Sequence, residues 1–198
     1  MPPRRTLARS VLLGLAGLVG VVCAAAAETV PLPQVPFSAT ARISDMAKPA
    51  RVYHRDGTLR IEASGPQGPM VMLIDLKTRE GTLLAAMGAM KVAMPLPAGT
   101  GPLNNAAGLP TGDKVGTDKV AGEACTLWQW RDPGSGESGR SCITGDGIPL
   151  RTTVRNGSEI VLSDVQRTAQ PEGLFVVPEG YQRITIPQGN LPGLPGKN

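Results

Sequence analysis

The sequence predicts a mainly β domain held by antiparallel pairing, with little helix, behind an export signal. Three observations carry the fold class. Beyond residue 36 the chain is a succession of short apolar-rich segments punctuated by Gly, Pro, Asn and Asp. Asp56-Gly57 and Asn156-Gly157 sit between such segments, and these two-residue steps suit hairpin turns that need positive φ at both positions. No segment carries a convincing amphipathic helical period.

The N-terminus sets the expected compartment. Arg4, Arg5 and Arg9 form a basic n-region, and an unbroken small and apolar run follows from Val11 to Ala27. The run ends in four alanines before Glu28, so residues 1–27 read as a signal peptide cleaved after Ala27. Its 17 residues are rich in Gly and Ala rather than Leu, at the lower limit for spanning a bilayer. Membrane contact is therefore expected only through this segment before cleavage. Cys23 is preceded by Val22, a poor match to a lipid-modified cysteine, and is expected to leave with the signal. The remaining 171 residues are enough for one domain with a core. Three of the 20 basic residues leave with the signal, so the mature net charge is +1 and offers no electrostatic footprint for nucleic acid. The expected location is the periplasm.

Residues 28–36 form a proline-rich lead-in without periodicity. The β domain spans 37–183. Its expected strands are Phe37–Met46, Ala50–Arg55, Thr58–Ser64, Met70–Leu76, Thr82–Met87 and Met90–Leu96, then Lys114–Ala121, Glu123–Arg131, Gly139–Thr144, Ile148–Arg155, Ser158–Arg167 and Leu174–Val177. Closing a hairpin on Asp56-Gly57 sets Arg55 against Thr58, His54 against Leu59, Val52 against Ile61 and Ala50 against Ala63. The other face then pairs Tyr53 with Arg60 and Arg51 with Glu62, an opposite-charge cross-strand pair. The apolar parity switches at Gly88, which predicts a bulge or a tight turn. Residues 95–112 are full of Pro, Gly and Asn and are expected to be a flexible loop, and 184–198 a disordered Pro/Gly tail.

No catalytic constellation is legible. The mature chain has one histidine, His54, and it falls on the apolar face of its hairpin beside Leu59, where packing accounts for it. No set of Cys, His and carboxylates has metal-site spacing, and no Gly-rich loop joins a strand to a helix. The chain is expected to be no enzyme, with no metal and no cofactor.

Cys125 and Cys142 remain after cleavage, and in an oxidising compartment the pair is expected to be bonded. A hairpin centred between Pro133 and Gly134 reflects Cys125 onto Cys142, so the two are expected directly opposite each other. Methionine is the unusual residue type. Met70, Met72, Met87, Met90 and Met94 cluster in one stretch, and three readings are open. They fill a core, they line a surface for an apolar ligand, or their soft thioethers hold Cu(I). Trp128 and Trp130 share one strand face and are read as core or as part of a ligand-facing wall.

Several strings then carry a resemblance. They are residues 72–76 (MLIDL) with Gly81, 87–91 (MGAMK), 94–97 (MPLP), 120–122 (VAG), Cys125, Trp128, Cys142 with 146–150 (DGIPL), and 174–181 (LFVVPEGY). Together they resemble uncharacterised bacterial envelope proteins similar to the outer-membrane lipoprotein carrier (LolA/LolB-like) superfamily. The resemblance implies a single curved antiparallel sheet forming an incomplete barrel, with an apolar concave face for acyl chains. The carriers close that face with helices, whereas this chain has its Pro/Gly loop in that place.

The expected function is accordingly a non-catalytic periplasmic binding module for an apolar ligand, with a lipid or lipoprotein as partner. Met70, Met72, Met87, Met90, Met94, Trp128 and Trp130 are the expected lining. The alternatives are a structural or interaction protein of the envelope with a filled core and, third, a Met-based copper protein.

Overall fold

The computed structural model describes residues 27–65, 68–96, 111–132 and 136–184. The expected signal through residue 26, the interior of the expected 95–112 loop and the tail from 185 lie outside the described residues. The strands are β1 (Phe37–Ile43), β2 (Ala50–Arg55), β3 (Thr58–Gly65), β4 (Gly68–Asp75), β5 (Gly81–Met87) and β6 (Met90–Leu96). They continue as β7 (Thr111–Val120), β8 (Glu123–Arg131), β9 (Ser138–Ile143), β10 (Pro149–Val154), β11 (Glu159–Gln166) and the two-residue β12 (Gln182–Arg183). Among the described residues there is no α-helix, and none that could cross a membrane.

All twelve strands form one sheet in the order β12-β6-β5-β4-β3-β2-β1-β11-β10-β9-β8-β7. Two meanders, β1–β6 and β7–β11, are welded along the β1/β11 pair, and every pairing is antiparallel except the short β12/β6 one. The outer strands β7 and β12 do not pair, so the sheet is not closed into a barrel. It is strongly coiled all the same. Arg79, in the turn after β4, reaches Asp132, just after β8, at 2.6 Å, although six strands lie between β4 and β8.

Turn chemistry sets the local registers. Asp56 (φ 50°) and Gly57 (φ 81°) both take the left-handed conformation, and β2 pairs β3 through Arg55/Thr58, His54/Leu59, Tyr53/Arg60, Val52/Ile61 and Arg51/Glu62. The expected Arg51–Glu62 ion pair is replaced: Glu62 takes Arg60, two residues along the same strand, at 2.8 Å, and Arg51 lies over the Tyr53 ring. The parity switch at Gly88 is a tight turn, with Met87 paired directly to Met90. Ala121 and Gly122 make a further two-residue turn between β7 and β8.

Three local expectations are corrected. The first strand stops at Ile43, where the Met46 N–H bonds back to the Ile43 carbonyl. Leu174–Val177 is no strand: a 3₁₀ turn spans Glu172–Phe175 behind Pro171, and Arg60 binds the Leu174 carbonyl at 2.8 Å. The cysteines are bonded, with Cα atoms 5.3 Å apart, but they are not directly opposite. Arg131 pairs with Ser138 and Leu127 with Cys142, so the register is displaced by two residues and the disulfide runs diagonally. The cause is the loop, in which the Asp132 N–H bonds Glu137 O and the Gly136 N–H bonds Asp132 O. The two-residue step keeps both cysteines on one face.

The main core takes alternate residues of β1–β6, from Phe37 to Leu96, with Ile160 and Leu162 of β11. The segments flanking the sheet complete it. The lead-in is bound along its length. Glu28 exchanges backbone hydrogen bonds with Gly112, and Val30 is buried beside the tryptophans. Leu32 packs against the main core, and its carbonyl occupies the space that a side chain on Gly147 would need. After β11 the chain crosses the opposite face of the first meander, where Val177 and Tyr181 cover Leu73, Leu84 and Ala93.

Candidate functional site

The inner face of β3–β6 is ruled into rows by the register. Behind a row of Leu59, Ile74, Gly81 and Leu96 comes a buried row of Ile61, Met72, Leu83 and Met94, and then Ala63, Met70, Ala85 and Val92. Met87 and Met90 form the last, at the hairpin end. Exposure rises along this series. Met72 and Met94 are 5% and 4% exposed, Met70 is half-buried, and Met87 and Met90 are 40% and 53% exposed. Met46 packs against the same core from the turn after β1, at the same end of the sheet. Thus every methionine beyond the expected signal lies on one face, at one end of one meander.

Met46 was not legible as a member. A strand continued through Met46 would give it the parity of Arg42, which is exposed, and only the early turn swings it onto the core. Met70 turns towards β3, where its Cε stands in the space a Cβ on Gly65 would fill. Met87 and Met90 are on β5 and β6, beyond β4 in the other direction, so these three thioethers do not converge on one point.

The tryptophans do not join this surface. Trp128 (4% exposed) and Trp130 (1%) form a separate buried cluster with Val30, Ile143 and Val154. The Trp130 indole N–H donates to Ser141 Oγ at 3.0 Å, and Ser141 bonds Thr152 Oγ1 at 2.9 Å. Lys114 lies over Trp128 at 5.1 Å while holding Glu28 at 2.6 Å. The single wall expected from Met70, Met72, Met87, Met90, Met94, Trp128 and Trp130 therefore separates into two. The indoles face the lead-in, and the methionines face the sheet end.

His54 is buried and stacked on Phe37 with ring centroids 5.5 Å apart. Its Nδ1–H donates to the Val35 carbonyl at 2.9 Å, and Nε2 accepts the Gly57 N–H at 3.3 Å. Both ring nitrogens are thus used by one neutral tautomer. Burial holds its pKa below the usual value, against the opposing pull of the Val35 carbonyl and the Asp56 charge. Arg167 clasps Glu123 and Asp146, each at 2.6 Å, and its hydrogen bond is the main cause that lowers the Asp146 pKa. This cluster ties the segment after β11 to the first residue of β8 and to the turn before β10.

No family model and no curated protein matches the sequence. Solved structures do match. An uncharacterised conserved protein of Thermus thermophilus aligns with a TM-score of 0.52 and 17% identity, over 77% of this chain and 91% of that one. The likeness is one of fold. The Pseudomonas aeruginosa MucA/MucB complex aligns with a TM-score of 0.44 and 17% identity, over 81% of this chain and 62% of that one. PNGF-II aligns with a TM-score of 0.40 and 13% identity, over 78% of this chain and 31% of that one. The curved, unclosed antiparallel sheet implied by the resemblance to the lipoprotein carriers is the architecture observed.

Proposed function

We propose that this chain is a non-catalytic binding module of the cell envelope that takes an apolar group, a lipid or a lipoprotein acyl chain, at the methionine end of its inner face. The observation that carries this reading is the graded series from Met72 and Met94 through Met70 to Met87 and Met90. It brings flexible, polarizable side chains from the core out to solvent on one face. The Cys125–Cys142 disulfide is consistent with export.

The reading is tested on protein purified gently from the periplasm, with its organic extract analysed by mass spectrometry. Co-purified lipid is the expected result. In parallel, the Met87→Gln/Met90→Gln double variant is expected to weaken uptake of a fluorescent fatty-acid probe by about tenfold. A variant that folds and binds the probe like the parent would refute the assignment.

A second reading has its own support. Side chains of the two meanders pack into one main core together with Leu32 and Val35 of the lead-in, an arrangement compatible with an envelope interaction protein without a ligand. Lipid-free extracts together with no probe uptake would favour it.

A further inference from the structure

We infer that Met87 and Met90 are a modification site, the pair of thioethers at which a hypohalous-acid oxidant converts this protein to its sulfoxide form. The inference extends the reading above in its consequence, since the sulfoxides would make the open end of the apolar face polar. The chemistry itself stands apart from that reading.

The assignment follows from which oxidisable groups the fold leaves accessible. Met87 and Met90 are 40% and 53% exposed and directly opposed across the β5/β6 turn. Met72 and Met94, two rows deeper on β4 and β6, are almost fully enclosed. The other oxidisable groups are withheld among the described residues, above all the thiols, the one side chain that competes with a thioether for such oxidants. Cys125 and Cys142 are bonded to each other, and Trp128, Trp130 and His54 are buried. Tyr53 and Tyr181 are half-buried. Met46 and Met70 are half-buried, so the two most exposed thioethers are the pair in one hairpin.

In each event the thioether sulfur loses two electrons and gains one oxygen. Hypochlorous acid is reduced by those two electrons to chloride, with release of a proton. The product is a dipolar sulfoxide with a strong hydrogen-bond acceptor where an apolar chain stood, and it is reducible by a methionine sulfoxide reductase working with a dithiol. Two such groups side by side would draw water onto the row that otherwise extends the core surface outward.

The experiment titrates the folded, disulfide-bonded protein with hypochlorous acid, maps sulfoxides by peptide mass spectrometry and follows the fluorescent fatty-acid probe in the same samples. Sulfoxide is expected at Met87 and Met90 at least about tenfold ahead of Met72 and Met94, with removal by the reductase. Even oxidation of all four, or oxidation of Met72 or Met94 first, would overturn the site. The probe separates the two ideas. If the untreated protein takes up no probe, the apolar-binding reading falls while the mass spectra alone judge the site. If it does take up probe, uptake is expected to fall on oxidation and return on reduction, and unchanged uptake with both residues oxidised would overturn the switch.

Discussion

Arg79 and Asp132 meet at 2.6 Å across a sheet in which six strands separate β4 from β8. The pair joins the turn of one meander to the loop of the other, and Asp132 is only 4% exposed at its side chain. Coiling thus brings together two places that pairing alone would keep apart. The carboxylate is enclosed and the guanidinium half-buried, so water screens their attraction only in part. Asp132→Asn is expected to lower the free energy of unfolding by about 3 kcal/mol, measured by urea denaturation. A loss near zero would mean that the contact follows the coil without helping to hold it.

The disulfide is expected to stabilise the second meander. It closes a loop with a sequence separation of 17, for which chain entropy gives about 3 kcal/mol. Urea curves of the native protein and of the Cys125→Ala/Cys142→Ala variant should differ by roughly that amount. Thiol titration of unreduced mature protein should find no free sulfhydryl from these two residues.

A buried hydrogen-bond chain runs from the Trp130 indole through Ser141 to Thr152. Ser141→Ala removes the middle link and leaves the Trp130 N–H without its acceptor. The expected loss is about 1–3 kcal/mol, the cost of a buried polar group that loses its partner. Near-UV circular dichroism should report a change confined to the tryptophan bands.

His54 makes stability depend on pH in a window of its own. It is the one histidine in the chain, and burial lowers its pKa in the folded state. The unfolded chain takes up this proton near pH 6.5, the folded protein only at lower pH. Stability present above pH 6.5 is therefore lost as the pH falls from there to the folded pKa, by up to about 1.4 kcal/mol per pH unit. Asp75, held down mainly by the Thr78 N–H, and Asp146, held down mainly by Arg167, act in a separate range. Their contributions are present above about pH 3.8 and are lost only below it, as the pH falls through their folded values. Unfolding at pH 7.5 and 5.5, with the imidazole titration followed by NMR, checks the first window. A folded-state pKa at or above 6.5 would contradict it.

Residues close in sequence determined much of this protein by themselves. Asp56-Gly57 specifies the β2/β3 register because only a tight turn with positive φ at both positions suits it. The alternation of Met70, Met72 and Ile74 specifies their common face because side chains in a strand alternate with period two. Tertiary structure decided what those rules do not reach. Pairing β1 with β11 joins the two meanders through contacts more than a hundred residues apart, and such pairing is selected by total burial rather than by any local turn. The β8/β9 loop moved the cysteine register by two residues, which leaves every side chain on its face and is therefore invisible to an argument from alternation. The proline-rich lead-in has no period to read, yet Val30 and Leu32 are placed by surfaces of β8–β10 and the main core. The methionines became one surface, and the tryptophans another, only when the coil and the lead-in determined what each row of side chains would meet.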